Sequence, residues 1–248
     1  GRMSMENILE LQQVSKTFPK SNFTLKNVTF SLPYGAILGF VGENGAGKTT
    51  TIGCILNTIT KDSGTVKLFG QEMLDADTSL REKIGVVYDG DNFPAYWTAK
   101  QLSDVMKGLY TQWDNSLFQK YLEDFHLPMK QKMKHYSKGM TMKLAIAAAL
   151  AHHPELLILD EATSGLDPII RDDVLDMLID FVQDENHSVL VSSHITSDLE
   201  KVADYITFIH KGKLVFSHDK DDLVDNYGIV SCGSVIFDTL DKTDTIAY

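Results

Sequence analysis

Cysteine is nearly missing from this 248-residue chain: Cys54 and Cys232 stand far apart, with no metal-ligand spacing around them. That excludes a disulfide framework or a cysteine metal site and points to a reducing compartment with two buried thiols. Basic residues are also scarce, 23 Lys and Arg against 34 Asp and Glu, for a formal net charge of −11. A phosphate backbone rewards a basic face, so nucleic acid is not expected as a partner. Long apolar runs are lacking too. No stretch approaches the roughly 20 apolar residues that span a bilayer, and no signal-peptide pattern opens the chain, so any membrane role is expected to come through another polypeptide. There is no internal repeat and no low-complexity linker. The length suffices to bury a full core, as one large domain or two small lobes.

What is present is organised around GENGAGKTT, the stretch Gly42, Glu43, Asn44, Gly45, Ala46, Gly47, Lys48, Thr49 and Thr50. It fits G-x-x-x-x-G-K-[ST] between an apolar run suited to a buried strand (Ala36 to Val41) and a segment able to begin a helix, the context a phosphate-binding loop requires. Its glycines can take positive φ, so N–H groups from Asn44 to Thr49 can turn inward around phosphate oxygens at the positive end of the following helix. Lys48 is then expected at the β- and γ-phosphates, the Thr49 hydroxyl on Mg²⁺, and Thr50 at the α-phosphate.

Upstream, residues 8 to 32 read as two strands with polar and apolar residues interleaved, as in an antiparallel edge sheet, around a loop that carries Phe18. That ring either stacks on an adenine base or caps the sheet. IGVVY runs into Asp89, Gly90 and Asp91, where carboxylates at a strand exit can meet a metal or water, or form a turn. From Ala95 to His135 two helices are predicted. The first has a Thr98–Gln101 capping box and the apolar stripe Leu102, Val105, Met106 and Leu109; the second has Leu117, Phe118, Tyr121, Leu122 and Phe125 and is closed by Pro128. These stripes read as the core of a small helical subdomain, with partner docking as the alternative. Ser137 is an N-cap candidate for a helix to about His152, making its hydroxyl and the Gly139 N–H a second anion site. LLILDE is a buried parallel strand ending in Asp160 and Glu161, one acid placed for Mg²⁺ and one for an attacking water. A helix capped by Asp167 with Pro168 at its first position follows, then SVLVSS with His194 at its end, and a hairpin turning at Lys211-Gly212.

Taken in this order, the chain resembles the ATP-binding subunits of ABC transporters from Ile8 to about Tyr227. GENGAGKT looks like the Walker A loop, YSKGM the signature, LLILDE the Walker B strand, SGLD the D-loop and SSH the H-loop. The resemblance implies an α/β P-loop NTPase fold of ABC type with an antiparallel β subdomain and a small α-helical subdomain. It implies a domain over residues 6–227, the helical part at about 95–152, and an unassigned tail at 228–248. It makes Phe18 the adenine stacker, Glu161 the general base, Asp160 a Mg²⁺ holder through water and His194 a γ-phosphate contact. Ser137 and Gly139 then touch the γ-phosphate bound by a second ATP-binding subunit, homo- or heterodimeric, in a head-to-tail sandwich. The implied partner is an integral membrane permease, which would hold the subunit on the inner face of the cell membrane.

Three elements depart from the family pattern, at four positions. Asp89 stands where glutamine is usual and is read here as a metal-side carboxylate, Lys138 and Met140 alter the signature, and Ala162 replaces a common proline. YSKGM with a non-glutamine Q-loop is similar to short bacterial exporters of the bacitracin-resistance and phenol-soluble-modulin type, which suggests antimicrobial or amphipathic peptides as cargo. The alternative is a nontransport regulatory ATPase of the same class. The stretch between Lys48 and Asp160 leaves no room for a long coiled-coil insertion, and a single phosphate loop sets tandem factors aside.

Overall fold

The computed structural model describes residues 6–72 and 78–219. The expected tail at 228–248, the domain's expected limit at 227 and Cys232 lie outside them. Two sheets share one core. The antiparallel sheet has the order β2-β1-β4-β5, built from β1 (Asn7–Thr17), β2 (Thr24–Pro33), β4 (Ser63–Leu68) and β5 (Gln71–Glu72). The six-stranded sheet runs β10-β9-β3-β8-β7-β6, from β3 (Ile37–Val41), β6 (Ile84–Tyr88), β7 (Leu156–Asp160), β8 (Ser188–Ser193), β9 (Tyr205–His210) and β10 (Lys213–Asp219). β9, β3, β8, β7 and β6 are mutually parallel, and β10 closes the edge as an antiparallel hairpin turning at Lys211-Gly212.

The central strands are apolar without alternation because both faces are covered, and every residue of β3 and β7 is buried. One face packs with the antiparallel sheet and α1 (Lys48–Ile55) around Phe40, Ile52, Ile158 and Leu190. The other carries α5 (Lys138–Leu150), α6 (Pro168–Phe181) and α7 (Thr196–Glu200) around Ile146, Leu159, Val174 and Val191.

The helical lobe consists of α3 (Ala99–Leu109), α4 (Asn115–Asp124), a short 3₁₀ turn (Met133–His135) and α5, after the small α2 (Thr78–Glu82) that precedes β6. From Leu144 to Leu150 α5 is apolar all round because it serves two cores. Met142, Ala145, Ile146 and Ala149 face the parallel sheet, while Leu144, Ala147, Ala148 and Ala151 face Leu102, Phe118 and Leu122. The Thr98–Gln101 capping box is formed with both of its hydrogen bonds. Two helical expectations need correction. Leu102 and Met106 turn inward, but Val105 and Leu109 are exposed, so the α3 stripe is only half core. α4 stops at Asp124, ahead of Pro128, with the chain reversing through His126 at φ 55°.

Candidate functional site

The site lies at the carboxyl ends of β3, β7 and β8, where an open parallel sheet gathers ligand contacts. Gly47 caps α1 at φ 118°, a left-handed value that suits glycine, and this turns the loop back onto the first helical residue, Lys48. The loop is held from outside by the β9–β10 hairpin, whose Gly212 N–H donates to Ala46 O at 2.8 Å, while His210 pairs with Glu43 at 3.0 Å.

Lys48 is buried, with its Nζ donating to the carbonyls of Gly42 and Glu43 and paired with Glu161 Oε1 at 3.0 Å. The other Glu161 oxygen meets His194 Nδ1 at 2.9 Å. Burial raises the Glu161 carboxyl, but the His194 hydrogen bond and the Lys48 ammonium outweigh it and hold the group below the ordinary carboxylate value. Glu161 also sits at φ 54°, a strained conformation for a side chain that is not glycine, and strain of that kind gathers at functional sites. Its N–H is held by the Ser192 hydroxyl at 3.0 Å.

That same hydroxyl donates to Asp160 Oδ1 at 2.8 Å. The Thr49 hydroxyl stands 3.5 Å from the same oxygen, beyond a normal O–H···O bond. Hydroxyl and carboxylate are hard oxygen donors, so the pair fits Mg²⁺. Among the described residues no three His, Cys, Asp or Glu side chains converge on one point, so an ion here would complete its shell with phosphate and water oxygens, as Mg²⁺ usually does.

The remaining expected residues fall into two groups. Ser137 caps α5, accepting from Met140 N–H at 3.1 Å, with Gly139 buried behind it against Ile170. Asp89 leaves β6 with its N–H bonded to Asp160 O at 3.0 Å, while its carboxylate faces Lys138 at 3.7 Å. Phe18 opens the β1–β2 loop, half-buried, with the Lys16 ammonium 5.6 Å from its ring centroid. A second aromatic lies against the phosphate loop: a Cβ on Gly47 would lie 3.0 Å from Phe23 Cζ.

Three participants were missed in the sequence reading. They are Phe23, Ser192, which ties the two acids together, and Arg171, which bonds Asp198 of α7 at 3.1 Å and the Leu166 carbonyl at 3.0 Å. Only the serine carried a signal, as a small hydroxyl residue two positions before His194. A separate cleft of about 310 Å³ between α4 and α6, lined by Leu117, Tyr121, Met177 and Phe181 among others, contains none of these residues.

The family model described as ABC transporter matches residues 25–164, and the chain belongs to that family. It is 32% identical to the ABC transporter ATP-binding protein YtrB of Bacillus subtilis, over 89% of this chain and 75% of that protein. It is 34% identical to the bacitracin transport ATP-binding protein BcrA of Enterococcus faecalis, over 86% and 70% of the two chains. The lantibiotic transport ATP-binding protein SrtF of Streptococcus pyogenes is also 34% identical, over 86% and 92%. Among solved structures, an ATP-binding subunit of an ABC transporter superposes with a TM-score of 0.78 at 25% identity, covering 88% of this chain and 92% of that one. CbiO1 of Clostridium perfringens shares the fold, with a TM-score of 0.75 at 20% identity over 90% and 92% of the chains. The fold is the P-loop ABC-type nucleotide-binding fold, and the protein is an ATP-binding subunit of this transporter class. No helix among the described residues is long and apolar enough to cross a membrane.

Proposed function

We propose that this chain hydrolyses Mg²⁺-ATP in a head-to-tail dimer and drives export through a separate membrane permease, held by that permease at the inner face of the cell membrane. The observation that carries the reading is the chain Lys48–Glu161–His194 beside Thr49 and Asp160. Without nucleotide, Glu161 is clamped between the Lys48 ammonium and the His194 imidazole and is a weak base. A triphosphate in the loop draws Lys48 onto its β- and γ-oxygens, which removes one clamp and raises the basicity of Glu161 toward an attacking water. His194 keeps the freed carboxylate oriented and reaches the γ-phosphate. Thr49 and Asp160 would hold Mg²⁺, while the Asp89 carboxylate is turned to Lys138. When bound, Mg²⁺ neutralises charge developing on the transferred phosphoryl group. Ser137 and Gly139 meet the partner's nucleotide, and Phe18 stacks on the adenine.

Exposed Tyr88 at the end of β6, exposed Tyr96 between β6 and α3, and exposed Val105 and Leu109 on α3 support permease docking on this side of the chain's helical lobe. The names of BcrA and SrtF favour peptide antibiotics as cargo, in keeping with the YSKGM signature. Glu161→Gln is expected to retain ATP binding, lose hydrolysis and accumulate as an ATP-dependent dimer by light scattering, while Lys48→Ala loses binding and turnover together. Near-normal hydrolysis in either variant sinks the assignment. Co-purification with an integral membrane protein separates transport from a regulatory ATPase.

A further inference from the structure

Two of the positions at which this chain departs from its family meet in space. Asp89 stands where the chain leaves the core sheet for the helical lobe, and Lys138 is the first residue of α5, the helix by which the chain returns. Their charged atoms are 3.7 Å apart. The Lys138 ammonium is laid over Gly165, whose φ is +70°; a Cβ there would lie 2.6 Å from Nζ. The lysine therefore crosses the D-loop at a place that glycine leaves open, and its charge bridges both ends of the connection between the lobes. We propose that Lys138 and Asp89 are a positioning pair, an electrostatic catch that fixes the helical lobe in the nucleotide-free subunit and opens when Lys138 is drawn to the triphosphate held by a second subunit.

The proposal deepens the functional reading above and rests on its two-subunit nucleotide site. Both side chains are about half exposed, 52% and 43%, so the pair is weak and screened by salt. Weakness suits a catch that must open: one carboxylate charge competes with the several charges of a triphosphate. The two residues then act as one unit, because the catch exists only while both charges are present.

The test uses the full chain with Glu161→Gln to prevent turnover. Asp89→Asn frees Lys138, and the ATP concentration for half-maximal dimerisation at low salt is expected to fall about two- to fivefold, the effect fading as ionic strength rises. Lys138→Gln removes both catch and cation, so adding Asp89→Asn to it is expected to change nothing further. An equal shift in both backgrounds, or no shift in either, overturns the proposal. A second readout needs no nucleotide. Spin labels on cysteines placed at exposed Gly108 of α3 and Lys67 of β4, in a Cys232→Ser background, report the orientation of the lobes by their distance distribution. Asp89→Asn and Lys138→Gln should each broaden it and the double variant no more; superimposable distributions refute the catch. Broadening without ATP-dependent pairing at any concentration overturns the two-subunit reading and the release step with it.

Discussion

Ser192→Ala is the substitution that best separates this account of the site from a looser one. The hydroxyl is fully buried and makes two bonds, donating to Asp160 Oδ1 at 2.8 Å and accepting from Glu161 N–H at 3.0 Å. A hydrogen bond to a charged group contributes about 1.5–3 kcal/mol and a neutral one about 1 kcal/mol. The second loss is softened, since Glu161 N–H also has the Ser192 carbonyl at 3.3 Å. The net loss is therefore about 2–3 kcal/mol, which in a chain of this size lowers Tm by roughly 5–10 °C. Function suffers through a different link. Asp160 loses its Ser192 donor and keeps the Thr49 hydroxyl at 3.5 Å, so its carboxylate is less well aimed at the metal, and the free Mg²⁺ needed for half-maximal ATPase is expected to rise about tenfold. Differential scanning calorimetry measures the first effect and a Mg²⁺ titration of ATPase rate the second. Ser192→Cys, with a weaker donor of similar shape, should fall between. A Tm within about 1 °C of wild type together with an unchanged Mg²⁺ curve would refute the reasoning.

Gly139→Ala places a methyl 2.4 Å from Ile170 Cδ1, so the α5 terminus and α6 must part unless that side chain yields; a loss of about 1–3 kcal/mol is expected in urea unfolding, relieved by Ile170→Ala. His152 is buried, stacked on Tyr110 at 4.0 Å, and burial holds its pKa below the ordinary histidine value. Because the unfolded chain takes up this proton first, stability is full above about pH 6.5 and declines as pH falls toward the lower folded value. His152→Phe should flatten that slope while losing the bond to the Glu82 carbonyl, and equal slopes in the two proteins would count against it. Glu161 acts in the same direction at lower pH: its depressed carboxyl stabilises the fold above about pH 4.5 and ceases to do so as pH drops through its folded value, a contribution that Glu161→Gln should remove.

The order of elements and the phosphate loop could be read from the chain because each rests on local rules. Apolar runs with no alternation gave the parallel strands, and Thr98, Ser137 and Asp167 each cap the helix expected of them. What could not be read depends on which side chains meet after folding. The sequence marks Lys138 and Asp89 as separate departures, 49 positions apart by their numbers, and nothing in either neighbourhood says that they touch. Ser192 lies on a strand whose residues are all buried, where a hydroxyl has no reason to be except a partner on β7, and the parallel register sets it directly beside Asp160. Period-3.6 reasoning failed at Val105 and Leu109 for a related reason. It gives a helix an apolar face but cannot say how much of that face its own lobe will cover, and the packing of α3 on α4 and α5 leaves Val105 and Leu109 exposed. The uncovered remainder lies in the same lobe as Tyr96. What sequence periodicity counted as core is thus the apolar surface on which the proposed permease contact depends.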